Sequence, residues 1–275
     1  MSEINNEQIK SILFEVSKEF ILPKFKNLKS EEVKFKNKRD LVTEVDLAVE
    51  EKLNNILCSL LPNSLFVGEE KFSLNSKIFE CYKQNQYCWT VDPIDGTANF
   101  VNGKEKFAIM VALTFADQII QSWIYKPLTE EICSALLGEG TFINDEKITI
   151  TNNRNISEAS GSISSKYWNE TFDLKMKEIR PKFKQVKNYG CIGFEYLEIA
   201  TNIRDFAILS NLSPWDHIPG ILIVREAGGF DIFFAKFKLL SLYFSIFFHP
   251  PPCNKIPLAI ECLTFFILIF FNNFS

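Results

Sequence analysis

Histidine is scarce in this chain and cysteine follows no pattern. Two histidines in 275 residues, neither at metal-ligand spacing from a cysteine, exclude a zinc centre of the usual kinds. Seven cysteines, odd in number and irregularly spaced, make no disulfide framework and point to a reducing, cytoplasmic setting. Positive charge is not in surplus. The net charge is −4, which argues against binding nucleic acid through its phosphates. A basic cluster, Lys34, Lys36, Lys38 and Arg39, reads as a solvated face or as an entrance that attracts phosphate. The polar, charged N-terminus shows no signal-peptide pattern, and no internal repeat is present. There is no serine nucleophile elbow and no Cys-Xaa5-Arg loop, so nothing signals covalent serine or cysteine catalysis. The apolar run at 256–271 holds one Glu and has no flanking cationic cluster. It falls short of the ~20 residues a spanning helix takes, which argues against a membrane anchor.

What the chain does have is acid at the edges of apolar elements. Residues 90–99, Thr-Val-Asp-Pro-Ile-Asp-Gly-Thr-Ala-Asn, set two carboxylates three apart around a proline. Trp89, Thr90 and Val91 read as the end of a buried strand. Pro93 fixes its φ and gives up an N–H, so the chain turns there with Asp92 and Asp95 on one side. Gly96 and Thr97 then offer backbone N–H groups at a helix start, where an anion is favoured. Carboxylates for a cation beside amides for an anion is the layout of metal-dependent phosphoryl transfer. The plainer alternative is a surface β-turn, since Asp, Pro and Gly are common turn formers.

Three other segments add weight. Gly68-Glu69-Glu70 follows a short apolar run at 64–67. Asp-Leu-Val-Thr-Glu-Val-Asp at 40–46 leads into a helix. Pro214-Trp215-Asp216 precedes Gly220 and the run Ile-Leu-Ile-Val-Arg-Glu-Ala-Gly-Gly at 221–229. Singly, such an acid is more often a helix cap or a solvated carboxylate than a ligand. Asp216 could be the N-cap of a helix over 218–227, stopped by Gly228 and Gly229.

In order and spacing, these four pieces resemble the inositol monophosphatase family of Mg2+-dependent, lithium-sensitive sugar phosphatases, over about residues 5–230. The resemblance implies a layered α/β/α/β/α sandwich, of mixed α/β (α+β) class, and a phosphomonoesterase acting on a small polyol or sugar phosphate, inositol-1-phosphate being the best single expectation. It implies two to three Mg2+ ions: Glu69, Asp92 and the Ile94 carbonyl at the first, Asp92, Asp95 and Asp216 at the second, and a weaker third on Glu69 and waters. Thr97 and Glu69 would position the attacking water, Asp46 would hold Thr97, and the Gly96 and Thr97 amides would cradle the phosphate, with Asp95 beside the substrate. Lys36 lies where the family often has a lysine near the third ion. A homodimer is also implied. Physics agrees with a cation at this place. Two carboxylates about 4 Å apart repel by roughly 4 kcal/mol at an effective dielectric near 20, and all-oxygen ligands select a hard cation.

Helical spacing of Ile9, Ile12, Leu13, Val16 and Phe20 predicts a helix over 5–24, and Leu53, Ile56, Leu57 and Leu60 a second one closed near Pro62. Strands are expected at 64–67, 87–92, 107–115 and 118–125, the third nearly continuous in apolar residues and so central. A strand and turn follow Gly138. The expected organisation is a phosphatase domain over 1–230, with a metal-binding lobe to about 150 and a second lobe over 151–230.

The chain departs from the family in three places. Residues 231–275 carry eleven of the 27 Phe and do not match a family ending, so the second lobe is expected to be incomplete and the tail prone to aggregate. On the substrate side, Gly190 replaces an arginine and Leu209 replaces a sugar-contacting acid. Glu195 reads as a substitute contact to the leaving group, or as a helix-surface carboxylate. Beside Asp216, His217 reads as a substrate contact or a helix-end donor, with Pro219 in the first helical turn. Alternatives to the leading function are a phosphatase of histidinol phosphate, fructose-1,6-bisphosphate or a 3′-phosphonucleotide, and a catalytically impaired remnant. The Ala98-Asn99-Phe100 continuation leans away from the nucleotide branch.

Overall fold

The computed structural model describes residues 4–37, 40–74, 81–82, 84–116, 118–151, 154–164, 170–209, 212–234 and 267–271. Helix α1 (Asn6–Val16) buries Ile9, Leu13 and Val16 and runs on as one wide turn over Ser17–Ile21, ending before residue 24. A hairpin of β1 (Val33–Asn37) and β2 (Asp40–Thr43) leads into α2 (Glu44–Leu60). Thr43 caps α2. Its hydroxyl accepts the Val45 and Asp46 N–H groups, and Asp46 reaches back to the Thr43 N–H, a reciprocal box that fixes the first turn.

A seven-stranded sheet follows in the order β3 (Leu65–Gly68), β4 (Tyr87–Asp95), β5 (Ala108–Phe115), β6 (Gln118–Lys126), β7 (Glu131–Leu136), β8 (Gly140–Ile143) and β9 (Glu146–Ile148), with β3 and β4 parallel and the rest antiparallel. Helix α3 (Glu69–Leu74) leaves β3, and α4 (Thr97–Val101) leaves β4. A second sheet holds β10 (Ser160–Ile163), β11 (Gln185–Val186), β12 (Phe206–Leu209), β13 (Phe230–Phe234) and β14 (Ile267–Phe271), in the order β11-β10-β12-β14-β13. Helices α5 (Glu170–Ile179), α6 (Ile192–Ala200) and α7 (Pro214–Glu226) complete the described elements.

Strand alternation builds the layers. On β5, Ile109, Val111 and Leu113 join the core formed with α1 and α2, while Ala108 and Met110 join the core formed with α6 and α7. On β12, Ala207 and Leu209 face that same middle layer, and Phe206 and Ile208 face the Met176 side chain of α5. The order is therefore α1/α2, first sheet, α6/α7, second sheet, α5: the expected α/β/α/β/α sandwich. Buried between two sheets, α7 is apolar nearly all round.

Two expectations are corrected at α7. The helix starts at Pro214 with Ser213 at its N-cap, so Asp216 lies inside the first turn and is not the cap. Pro219 falls in the helix interior, where it forgoes a hydrogen bond to residue 215 at a cost of ~3 kcal/mol. Burial on both faces offsets that. Sequence periodicity missed the start because an all-round buried helix has no polar stripe to mark. The tail is not wholly outside the fold. β14 pairs antiparallel with both β12 and β13, whereas residues 235–266, including the His-Pro-Pro-Pro-Cys segment, lie outside the described residues. Among the described residues no helix is long and apolar enough to cross a membrane.

Candidate active site

The expected acids converge at the C-terminal end of β3 and β4. Regular alternation would send Asp92 and Asp95 to opposite faces. The register instead shifts between them, with Asp92 opposite Met110 and Asp95 opposite Ala108. Pro93 and Ile94 form the bulge that re-aims both carboxylates. Gly96 follows at φ +86, a left-handed backbone open to glycine, and a Cβ there would stand 3.0 Å from both Cys191 Cβ and the Lys106 carbonyl.

Asp92 is 1% exposed, and its Oδ1 has no hydrogen-bond partner. Burial pushes its carboxyl well above the usual range, and the nearby charges of Glu69, Asp95, Asp216 and Asp46 push it further. Asp216, half-buried on the first turn of α7, is raised by burial and by Glu69 and Asp95, and is hydrogen-bonded to Asp92 and Ser213. Asp95 is buried and raised for the same first reason, but three donors oppose it. Ile192 N–H gives to Oδ1 at 3.0 Å, Gly193 N–H to Oδ2 at 2.5 Å, and Cys191 Sγ to Oδ2 at 2.9 Å. Asp95 thereby docks the start of α6 onto the first sheet. Glu69 opens α3, half-buried at the rim.

Among the described residues no three acidic, cysteine or histidine side chains are already closed into a ligand cluster. Asp216 meets Asp92 through a hydrogen bond, and the charges of Glu69, Asp95 and Asp46 also act on Asp92. An orphaned buried carboxylate oxygen among all-oxygen donors fits a hard divalent cation.

Beside the acids, Thr97 Oγ1 lies 3.2 Å from Asp46 Oδ1 and 3.0 Å from the Ile94 carbonyl. Asp46 is fixed in turn. Its Oδ2 accepts the Thr43 N–H at 2.7 Å and the Thr43 hydroxyl at 2.6 Å, and its Oδ1 faces the Thr97 hydroxyl. The capping box of α2 is thus also the support of Thr97.

The other side of the site is formed by residues 188–195. Asn99 Nδ2 donates toward the carbonyls of Lys106 (2.7 Å), Tyr189 (2.9 Å) and Gly190 (3.4 Å), tying α4 to this turn. Glu195 is 4% exposed and accepts the Tyr189 N–H at 3.0 Å. It is no surface carboxylate, and its raised carboxyl follows first from burial. Leu209 is buried in the middle layer. His217 does not reach outward: it is buried, with Nδ1 2.9 Å from the Tyr196 hydroxyl. Lys36 lies on β1, its side chain outside the described residues. Sequence reading passed over Glu50, Asn99 and Cys191. The signal for Glu50 was available, an acid one turn beyond Asp46 on the apolar face of α2.

A family model, the inositol monophosphatase family, matches residues 5–232. An inositol monophosphatase of Dictyostelium discoideum is 28% identical over 239 residues, covering 83% of this chain and 86% of the relative. A protein of Aquifex aeolicus described as fructose-1,6-bisphosphatase/inositol-1-monophosphatase is 27% identical, covering 74% and 76%. The crystal structure of the extragenic suppressor protein suhB from Bartonella henselae superposes with a TM-score of 0.71 at 25% identity, covering 82% of this chain and 86% of that one.

Proposed function

The chain belongs to the inositol monophosphatase family and is a phosphatase of sugar-type phosphates; from that premise we propose that it hydrolyses the monoester of a small polyol phosphate, inositol-1-phosphate first, with Mg2+ as its cation. The observation that carries this reading is the orphaned Asp92 oxygen, buried and ringed by Glu69, Asp95 and Asp216. Glu69, Asp92 and the Ile94 carbonyl would hold one ion, Asp92, Asp95 and Asp216 a second, and Glu69 a weaker third. When bound, the ions supply a water of lowered pKa and offset the charge on phosphate and leaving alkoxide.

The chain's own residues set the geometry. With its hydrogen directed to Asp46 Oδ1 or to the Ile94 carbonyl, the Thr97 hydroxyl has a lone pair left to accept a hydrogen bond from the attacking water and so position it. Glu69, at the opposite rim, orients the same water. The N–H groups of Gly96 and Thr97 would face the phosphate, at a position where the packing of Cys191 and the Lys106 carbonyl leaves no room for a Cβ. Glu195, buried and accepting the Tyr189 N–H, would support the turn at 188–190 on the substrate side. A homodimer is part of the same proposal.

Fructose-1,6-bisphosphate is the second reading. It is favoured by the double name of the Aquifex aeolicus relative and by Gly190 and Leu209, which supply none of the inositol contacts the family resemblance implies. Relative rates of phosphate release from inositol-1-phosphate, fructose-1,6-bisphosphate and histidinol phosphate decide between them. A higher kcat/KM for inositol-1-phosphate supports the first reading, and a higher value for the bisphosphate overturns it.

A further inference from the structure

Helix α2 turns two acids inward on the same face, Asp46 toward Thr97 and, one turn later, Glu50. Glu50 is 2% exposed. Its Oε2 accepts the Glu70 N–H at 2.7 Å and its Oε1 the Lys71 N–H at 2.8 Å. Both N–H groups belong to the first turn of α3, whose backbone donors have no acceptor within the helix and whose opening residue is Glu69. The carboxylate sits so close beneath the strand end that a Cβ on residue 68 would overlap it. Gly68 is therefore needed for what lies under it, since its own backbone is not left-handed.

We propose that Glu50 is a positioning residue for the cation site: it clamps the first turn of α3 and so sets where the Glu69 carboxylate stands. The proposal rests on the reading that Glu69 holds a cation. A buried carboxylate with both oxygens engaged by consecutive backbone N–H groups is a rigid two-point anchor, stronger than neutral hydrogen bonds would be. It explains the Gly-Glu-Glu motif as one device. Glycine gives way to the Glu50 carboxylate, the first glutamate points to the site, and the second glutamate and the lysine lend their N–H groups to the clamp. Asp46 and Glu50 on one rigid helix then hold Thr97 and Glu69 in fixed relation, although the two come from different strand ends.

The test is the Mg2+ half-saturation of phosphate release, read beside Mg2+ binding by calorimetry, for Glu50→Gln, Gly68→Ala, Glu50→Ala and the double variant Glu50→Ala/Gly68→Ala. Supporting groups of metal ligands typically change affinity by 10–100-fold. Glu50→Gln, isosteric but with one amide N–H facing another, is expected to raise the half-saturation about tenfold, with substrate KM at saturating Mg2+ unchanged. Gly68→Ala, which pushes the same carboxylate from the other side, is expected to do the same. The double variant should bind Mg2+ no worse than Glu50→Ala, because the alanine at 68 then meets nothing. Unchanged half-saturation in both Glu50→Gln and Gly68→Ala, or additive losses in the double variant, would overturn the proposal. If either single variant does not fold, the other carries the test. Asp92→Asn separates the two levels. If it binds Mg2+ like the wild type, the cation reading itself fails. If it loses Mg2+ while Glu50→Gln keeps it, only the clamp fails.

Discussion

At the scale of single residues the site works by leaving one group unsatisfied and satisfying its neighbours. Thr43 engages one oxygen of Asp46, and the other faces the Thr97 hydroxyl and orients it. Thr97→Val keeps the volume and removes the hydroxyl. Its kcat is expected to drop by about 10²-fold, the order of loss when a reacting group is misplaced by about 1 Å, while Thr97→Ser stays close to wild type. Steady-state kinetics at saturating Mg2+ checks this. Asp92 shows the opposite logic. Its carboxyl is raised above the usual value by burial first and by neighbouring acids second. The metal-free folded state thus binds this proton more tightly than the unfolded chain, and its stability falls as pH rises above the unfolded value of 3.8. Asp92→Asn removes the charge. Metal-free Asp92→Asn is expected to melt above metal-free wild type at pH 8, by roughly 2–4 °C for each kcal/mol relieved, while its turnover is abolished. Calorimetric scans at pH 5 and pH 8 test it. A lower melting temperature than wild type at pH 8 contradicts the account.

At the scale of elements, the site depends on how strand ends and helix starts are joined. The bulge at Pro93-Ile94 was legible in the sequence as a turn that places two acids on one side, and the structure shows its cause in the register shift between Asp92 and Asp95. The capping box of α2 was legible only as a segment leading into a helix. The strands on the first sheet were legible from their apolar runs, and β5 is central as its composition demands. What the sequence hid were contacts between segments far apart: Asn99 with the turn at 188–190, and Glu50 with α3. No local pattern encodes a hydrogen bond across ninety residues. The start of α7 was hidden for another reason, because burial on every side erases the 3.6-residue stripe. Asn99→Ala should loosen the wall of the site without touching the acids. Substrate KM is expected to rise several-fold, and stability to fall by about 1–3 kcal/mol for the carbonyls left without a donor. Denaturant melts and KM measurements with inositol-1-phosphate read the two effects.

At the scale of the whole molecule, the middle layer of α6 and α7 joins the two sheets, and Asp216 reaches the site only because α7 is held between them. The second sheet enlists the far end of the tail, with β14 seated between β12 and β13. Removing residues 235–275 would strip β12 and β13 of their shared neighbour and expose two apolar strand edges. Light scattering should show more aggregation for that truncation than for the full chain. If the truncation is as monodisperse and as active as the full chain, β14 is dispensable. The central claim is that the acids around Asp92 hold cations for phosphoryl transfer. Phosphate release from inositol-1-phosphate by the full chain, with Mg2+ titrated from zero and lithium added at the optimum, tests it most directly. The account predicts turnover that is absent without Mg2+, rises with it and is inhibited by lithium. Turnover independent of Mg2+, or none at any Mg2+ concentration from a folded chain, would contradict it.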